Sequence, residues 1–343
     1  RVLTTDTEFY SLTRQLNRLA ELKCARLAID AVPIAPRATF TAQFAAAAAT
    51  QPPVDFAYVS QCVYSTQETI VPDVAAFAAA VGGALVDARA RATKHDGLAS
   101  GDSPLLLLDG YHGFGAIPTD LGAVAATGVD VVYVAGMLKH VGAGANSAFA
   151  VLPRRVGSRL RPLVTGWLAD PSVLAPGSTG IHLGSAVGYS DGLALAGATP
   201  SYVLPLLTFN AVMRRWLERG VTVELVHAHV MRLHKRFLEG LRVLEDGARD
   251  GTASAAGVGE GGEGELPPAD GDGGASVAPR IGRAPGGIAL GALHSLLPVA
   301  HRSHTLVFDQ RDAAQAKAIV DTLARDHRIE IDTRKTYVRG GFG

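Results

Sequence analysis

Cysteine is scarce in this chain of 343 residues, which contains only Cys24 and Cys62. Two cysteines so far apart form no metal-binding pattern and imply no disulfide framework, so a reducing compartment such as the cytoplasm is expected. Long apolar runs are also lacking, since none approaches the ~20 residues of a membrane-spanning helix. The first residues show no signal peptide.

Charge of either sign is not in excess, because 32 Lys and Arg residues balance 32 Asp and Glu residues. A protein that binds nucleic acid through its phosphates carries a basic surface, so this balance argues against a nucleic-acid partner. Apolar residues make up 48% of the chain and charged residues 19%. These fractions and the length are typical of a globular protein of about two domains.

Signatures of nucleotide and metal binding are missing as well. The glycine-rich segment 142–146 has neither the lysine–serine pair of a P-loop nor the glycine spacing of a dinucleotide-binding motif. His227, His229 and His234 lack the His-Glu-x-x-His spacing of a zinc site, and we interpret them as surface residues. No metal site is therefore predicted.

Two short apolar runs occupy the middle of the chain, at 105–108 and 131–135. Both are typical of strands in a parallel sheet that is covered on both faces. A short helix is expected between them after Pro118, with Thr119 or Asp120 as its cap. This strand–helix–strand pattern predicts a parallel pair joined by a crossover helix.

An acid and an amine follow these two strands, namely Asp109 and Lys139. Both would lie at the carboxyl edge of the sheet, where open α/β sheets bind their ligands. A lysine forms a Schiff base with an aldehyde cofactor, and a carboxylate pairs with a protonated pyridine nitrogen, which keeps the ring an electron sink. The pair therefore suits a pyridoxal cofactor.

The segment Asp-Gly-Tyr-His-Gly-Phe-Gly from Asp109, followed by Gly-Met-Leu-Lys ending at Lys139, resembles the class V aminotransferase group of pyridoxal-phosphate enzymes. Within that group it is most similar to kynureninases. The resemblance implies an α/β fold of the aspartate aminotransferase type (pyridoxal-phosphate fold type I), the cofactor pyridoxal 5'-phosphate, an amino-acid substrate and a homodimer. It also implies that Asp109 meets the pyridine nitrogen, His112 lies near the phenolic oxygen and Lys139 carries the Schiff base.

Three further site residues are implied by the same resemblance. Trp167 corresponds to a tryptophan beside the cofactor phosphate, contributed across the dimer, and Thr199 to a phosphate-binding threonine near a helix start. Arg339 corresponds to the arginine that clamps the substrate carboxylate with its two-pronged guanidinium. Core packing, helix capping and a surface ion pair are the respective alternatives.

The sequence departs from the kynureninase pattern at Leu138, where that family has a phosphate-binding tyrosine. Family members also carry a further N-terminal segment, so we expect this chain to be a fragment that lacks part of the cofactor site. Kynureninase-like hydrolysis and amino transfer both stay open, with a non-enzymatic or cofactor-deficient relative as the alternative. A cysteine desulfurase is disfavoured, because neither Cys24 nor Cys62 lies at the position of its catalytic cysteine.

Alternating strands and helices predict a mostly parallel sheet with helices on both faces. A large cofactor-binding domain is expected at 1–220 and a small α/β domain at 221–343, with a disordered low-complexity insertion at 246–287. The predicted strands are 1–5, 54–59, 83–87, 105–108, 131–135, 147–152, 305–308, 328–332 and 337–339. The predicted helices begin at Thr5 or Asp6 and at Pro72 (to about Ala80), and span 39–49, 201–219, 222–241 and 312–326.

Overall fold

The structure of the chain, a computed structural model, describes residues 1–22, 27–96, 103–144, 148–178, 183–190, 203–249, 288, 292–293 and 301–341. The described residues up to 228, together with 301–304, form one compact unit, and those from 229 to 293 and from 305 onward form a second. Thr199 and the part of the predicted insertion after 249 lie outside the described residues.

A six-stranded sheet forms the centre of the first unit. Its strands are β1 (Val2–Thr5), β2 (Ile29–Val32), β3 (Phe56–Ser60), β4 (Leu105–Asp109), β5 (Val131–Gly136) and β6 (Ala148–Val151). Across the sheet they follow the order β2-β1-β3-β4-β5-β6, and only β6 is antiparallel to its neighbour. The mostly parallel α/β sheet predicted from the sequence is thereby confirmed.

Helices of the described chain alternate with these strands as predicted. They are α1 (Tyr10–Leu22), α2 (Phe40–Ala48), α3 (Val74–Asp96), α4 (Leu121–Ala126), α5 (Arg154–Gly157), α6 (Val203–Glu218), α7 (Val223–Arg249) and α8 (Ala313–His327). Asp120 caps α4, since its carboxylate accepts a hydrogen bond from the Ala123 N–H at 2.9 Å. Pattern and capping signals therefore located most of these helices correctly.

The main core lies between one face of the sheet and the helices α2 and α3. Phe40, Phe44 and Phe77 pack together there with ring centroids 5.7 to 6.0 Å apart. On β4, Leu106 and Leu108 point into this core, whereas Leu105 and Leu107 on the opposite face are only half-buried. Coverage of this strand by the protein is therefore more complete on the core face than on the opposite face, which is partly covered.

The strand predicted at 83–87 is wrong, because α3 continues through it as a single helix. Buried residues recur along α3 at helical spacing: Val74, Phe77, Ala78, Val81, Leu85, Ala88 and Ala92. Gly82, just before the wrongly predicted strand, serves packing, since a Cβ there would lie 2.9 Å from Cβ of Val129. A glycine can thus mark a close helix contact instead of a helix end.

Replacing Gly82 by alanine is expected to destabilise the protein by about 1–3 kcal/mol, because the added methyl group overpacks the contact with Val129. Gly83 is the matched control: it lies in the same helix, and a Cβ there meets no atom within 4 Å. Gly83→Ala should stabilise the helix by roughly 0.5–1 kcal/mol. Urea denaturation of both variants measures the difference, and equal effects would contradict this view of α3.

Three predictions that concern α1 and α7 also need correction. The first helix begins at Tyr10 and not at Thr5 or Asp6, because Glu8 is buried in the turn that precedes it. In α7, His234 is fully buried, so the interpretation of this histidine as a surface residue is wrong. The helix also continues to Arg249, so residues 246–249 are helical and not part of a disordered insertion.

The second unit contains a small antiparallel sheet with the order β7-β9-β8. Its strands are β7 (Thr305–Asp309), β8 (Asp332–Arg334) and β9 (Tyr337–Gly341). Leu306, Phe308 and Val338 pack against Ala316 and Ile319 of α8, whose first turn is capped by Asp312. The predicted strand at 328–332 is misplaced, since β8 begins only at Asp332.

None of the helices in the described ranges is both long enough and apolar enough to cross a membrane.

Candidate active site

The strand order creates a crevice at the carboxyl ends of the central strands. From β1 the chain moves outward to β2 on one side, then returns to β3 on the other, so the direction of winding reverses between β1 and β3. Ligands of open α/β sheets bind outside the carboxyl ends at such a point. The residues that end or follow β1, β3, β4 and β5 are therefore the candidates for the site.

Asp109 is the last residue of β4, in register with Ser60 of β3. Its carboxylate accepts hydrogen bonds from the Tyr58 hydroxyl and, at 2.7 Å, from the backbone N–H of Tyr111. Burial raises the pKa of Asp109, and the two hydrogen bonds oppose that increase. A carboxylate oxygen accepts more than one hydrogen bond, so Asp109 is held in place and still has acceptor capacity for a ligand.

Lys139 lies in the loop that follows β5, next to β4 in the sheet. The loop is closed by a hydrogen bond of 2.9 Å from the Ala143 N–H to the Met137 carbonyl. Met137, Val141 and Ala143 are buried together, whereas Lys139 is exposed. The loop is therefore anchored by its apolar residues and presents its lysine at the carboxyl edge.

Tyr111 connects the Asp109 turn with the strand that leads to Lys139. Its ring packs directly on Gly136, where a Cβ would lie 2.5 Å from the ring Cζ, so only glycine leaves room for the ring. Because the backbone N–H of the same residue donates to Asp109, the acid and the lysine-bearing strand are tied together through one residue.

His112 belongs to the same turn as Asp109. The Gln67 side-chain amide donates to the Tyr64 carbonyl at 2.7 Å, which fixes the orientation of that amide, and its nitrogen lies 3.3 Å from Nδ1 of His112. An amide nitrogen only donates, so Nδ1 of His112 is the acceptor and neutral His112 carries its proton on Nε2. The Nε2–H is thereby a hydrogen-bond donor.

His140 directly follows Lys139 and is kept neutral. Burial, aided by the positive charge of Lys139, lowers the pKa of His140 to about 4, although a hydrogen bond with the His112 backbone opposes this change. The His140 ring also packs edge-on against His304, with centroids 5.2 Å apart. His140 thus joins the lysine loop to the His112 turn without adding charge.

Glu8 is a buried acid at the same edge, in the turn between β1 and α1. Its carboxyl group accepts hydrogen bonds from the Thr5 hydroxyl at 2.7 Å, from the Ser60 N–H at 3.2 Å, and from the Ser60 hydroxyl. Burial raises the pKa of Glu8 to about 7, and the negative charge of Asp109 contributes to this increase. Sequence analysis missed Glu8 because it assigned this turn to a helix start.

The raised pKa of Glu8 makes stability depend on pH. The folded protein holds the Glu8 proton up to about pH 7, whereas the unfolded chain releases it near pH 4.5. The stability that this proton adds to the folded state is therefore complete below pH 4.5 and is lost as pH rises through 7. The loss is on the order of 3 kcal/mol. Urea denaturation should show this decrease in the free energy of unfolding in the natural protein and not in Glu8→Gln.

Glu21→Gln, on the exposed face of α1, is the matched control and should leave the pH dependence as it is. If the natural protein and Glu8→Gln lose stability equally between pH 4.5 and 7, Glu8 is not the group responsible.

Three aromatic rings also cluster at this edge, from Phe9, Tyr10 and Tyr64. Their centroids lie 5.1 to 5.7 Å apart. Phe9 directly follows Glu8, and the Tyr64 carbonyl accepts from the Gln67 amide that also contacts His112. The rings of Phe9 and Tyr10 are about half exposed and offer a flat apolar surface to a planar ligand.

The remaining predicted site residues are described one by one. Trp167 is 57% exposed, in a short 3-10 turn, so it is not packed in the core. Arg339 lies on β9 of the second unit and forms an ion pair with Asp332. Leu138, which replaces the family tyrosine, is 42% exposed. Thr199 lies outside the described residues, so the predicted roles of these positions stay predictions.

Sequence reasoning also missed Tyr58, Gln67 and Tyr111. For Tyr58 and Tyr111 the available signal was position, because Tyr58 lies in the carboxyl-terminal half of β3 and Tyr111 just beyond β4. Gln67, well beyond the end of β3, offered no such signal. Within the described ranges, no group of three His, Cys, Asp or Glu side chains is arranged to hold a metal ion.

Comparison with known proteins gave no matching family model and no matching curated protein. Solved structures do match. The cystine C-S lyase C-DES, in complex with its reaction product cysteine persulfide, has a TM-score of 0.58 and 17% identity over 99% of this chain and 70% of its own. The apo cysteine desulfurase from Thermococcus onnurineus NA1 has a TM-score of 0.60 and 13% identity over 99% of this chain and 67% of its own.

At these identities the likeness concerns the fold and not the reaction. The fold expected from the sequence is confirmed: this chain has the α/β architecture of the aspartate aminotransferase type, which it shares with the C-S lyase and the cysteine desulfurase.

Proposed function

We propose that this chain is a pyridoxal-phosphate-dependent enzyme that acts on an amino acid through Lys139. The observation that carries the proposal is the pairing of a partly buried acid, Asp109, with the lysine loop at the ends of two adjacent parallel strands, next to the reversal of strand order. Its fold likeness to a C-S lyase and a desulfurase supports the proposal.

The residues at the carboxyl edge fit this cofactor. Asp109 offers a partly buried carboxylate to a ring N–H, and the Nε2–H of His112 offers a donor to a phenolate oxygen. Phe9 or Tyr10 offers a ring face for stacking, and Lys139 offers an exposed amine. These are four different groups of the kinds that the cofactor requires.

Bound pyridoxal phosphate supplies an aldehyde that condenses with amines and a ring that withdraws electrons. In this proposal Asp109 keeps the ring nitrogen protonated, because an ionised carboxylate stabilises the positive charge beside it. Lys139 first holds the cofactor and then, as a free amine, moves the α-proton of the substrate. Arg339 is proposed to bind the substrate carboxylate, which would require it to exchange its partner Asp332 for substrate.

Hydrolytic cleavage of the kynureninase kind and amino transfer are the two finer proposals for the reaction. The chemistry of a cysteine nucleophile receives no support from Cys62, because burial raises the pKa of its thiol to about 12 and leaves it protonated. Cys24 lies outside the described residues.

We also propose a homodimer. Large apolar side chains are exposed on α6 and in the segment around Trp167, notably Leu163, Leu204 and Leu217, which are 71 to 85% exposed. A second copy of the chain would bury them. Sedimentation velocity should give twice the monomer mass, and a monomer at micromolar concentration would contradict this part of the proposal.

The test is uptake of cofactor followed by reaction. Purified protein mixed with pyridoxal phosphate and desalted should retain a visible absorbance band, which borohydride removes. In heavy water the loaded protein should then exchange the α-hydrogen of an amino acid for deuterium. Assays of kynurenine cleavage and of amino transfer to 2-oxo acids separate the two finer proposals. Protein that stays colourless and exchanges no α-hydrogen would favour a relative that keeps the fold without catalysis.

A further inference from the structure

Gln67, in the loop beyond β3, has a left-handed backbone conformation with a φ of 57°. Glycine adopts this conformation without cost, whereas any side chain makes it unfavourable. The other described residues that combine a side chain with this conformation are Arg311, Arg328 and Lys335, and all three are exposed. Gln67 is buried, with only 5% of its surface exposed. Strain at a buried residue indicates that its side chain has a role.

The Gln67 amide contacts two groups whose chemistry fixes its orientation. Its nitrogen donates to the Tyr64 carbonyl at 2.7 Å and lies 3.3 Å from Nδ1 of His112. Turning the amide over would set its oxygen against the Tyr64 carbonyl oxygen, and neither can donate. A proton on Nδ1 of His112 would face an amide hydrogen, so the contact also excludes that form of the ring.

The backbone around Gln67 is fixed from both sides. The Gln67 N–H donates to the Val63 carbonyl, and the Val63 N–H donates to the Glu68 carbonyl, each at 2.8 Å. The nearly buried carboxylate of Glu68 forms an ion pair of 2.5 Å with Arg37. A strained residue persists when its surroundings hold it in this way. The loop therefore presents the amide to His112 in one orientation.

We propose that Gln67 is a positioning residue that holds the His112 ring and keeps its proton on Nε2. A neutral imidazole can carry its proton on either nitrogen, so a partner is needed to select one. The inference rests on the proposed function, in which the Nε2–H of His112 donates to the phenolate oxygen of the cofactor. With the proton on Nδ1, a lone pair of Nε2 would face that oxygen and repel it.

Nitrogen-15 NMR of the histidine rings in the cofactor-free protein shows which ring nitrogen carries the proton. His112→Phe assigns the His112 signals by their loss. At about pH 8, above the ordinary titration range of histidine, the natural protein should carry the His112 proton on Nε2 and none on Nδ1. In Gln67→Glu the carboxylate can only accept, so Nδ1 should become protonated.

Two further variants separate the amide from its surroundings. Gln67→Met keeps an unbranched side chain of similar length but removes the donor, so a fraction of the Nδ1-protonated form should appear. Gln43→Glu is the control for added charge, because Gln43 lies on the exposed face of α2, and it should leave the His112 signals unchanged.

Cofactor affinity tests whether Gln67 acts through His112. Gln67→Met should weaken pyridoxal-phosphate binding by about 2- to 10-fold, the equivalent of one neutral hydrogen bond. The same substitution made in His112→Phe should have little effect, because the residue that it positions is gone. Equal losses in both backgrounds would mean that Gln67 does not act through His112 and would overturn the positioning role.

A natural protein with the proton on Nδ1 of His112, or a Gln67→Glu variant in which Nδ1 stays unprotonated, also overturns the inference. If Gln67→Glu does not fold, Gln67→Met decides, and a proton that stays entirely on Nε2 there has the same consequence. The spectra are recorded without cofactor. Failure of cofactor uptake, the test of the proposed function, is therefore distinguishable from failure of this inference.

Discussion

Lys139→Ala is expected to abolish α-hydrogen exchange in protein supplied with pyridoxal phosphate. The exposed amine of Lys139 is the group that we propose to move the α-proton, and loss of a positioned general base costs up to about 10⁴-fold in rate. Deuterium incorporation into an amino acid, followed by mass spectrometry, measures the effect. The lysine loop should stay folded, because its anchors are the buried Met137, Val141 and Ala143.

Lys317→Ala provides the matched control for this experiment. Lys317 is an exposed lysine of α8 that forms an ion pair with Asp321 one helical turn away. Its loss should cost no more than about 0.5 kcal/mol in stability and leave exchange unchanged. Exchange that survives in Lys139→Ala, or that falls equally in both variants, would remove Lys139 from its proposed role.

Asp109→Asn is expected to change cofactor affinity and stability in opposite directions. The amide cannot balance a protonated ring nitrogen, and loss of that charged hydrogen bond should weaken pyridoxal-phosphate binding by about 10- to 100-fold. Without cofactor the variant should be more stable at neutral pH. Burial raises the pKa of Asp109, so the carboxyl group stabilises the folded state fully at low pH, and this stabilisation is lost as the group ionises. The amide of the variant does not ionise and avoids this loss.

The amide fits the site because the Tyr58 hydroxyl can accept from it, while the Tyr111 N–H still donates to its oxygen. Fluorescence titration with pyridoxal phosphate and urea denaturation at pH 7 measure the two effects. A variant that binds the cofactor as tightly as the natural protein, or that is less stable without it, would contradict the role assigned to Asp109.

The parallel pair that places Asp109 next to the lysine loop could be predicted from the sequence. Two apolar runs with a capped helix between them dictate a crossover, and a crossover of this kind dictates parallel strands. The residues that follow such strands share an edge, so Asp109 and Lys139 were predicted to lie near one edge without coordinates, whereas His112 was added only through the resemblance. Local patterns suffice to predict such a pair when its residues closely follow strands.

Glu8 and α3 show where such reasoning stops. Glu8 lies in a short turn whose sequence equally suits the start of a helix, and only its burial against Ser60 of a different strand reveals it. In α3, Gly82 and Gly83 resemble a break, and only the distant Val129 shows why Gly82 is present. Both depend on contacts between segments far apart in sequence, which local propensity does not encode.

Tyr111 illustrates the same limit within the site itself. The sequence shows an aromatic residue in a glycine-rich turn, but its packing on Gly136 follows only from the register of β4 and β5. This contact ties the Asp109 turn to the lysine-bearing strand.

Peptide mapping after borohydride reduction tests the central claim most directly. The protein is mixed with pyridoxal phosphate, reduced, digested and examined by mass spectrometry. If Lys139 is the cofactor lysine, the added mass lies on the peptide that contains Lys139, and Asp109→Asn lowers its yield at limiting cofactor. An adduct spread over exposed lysines such as Lys235 and Lys317, or one unaffected by Asp109→Asn, would contradict the account.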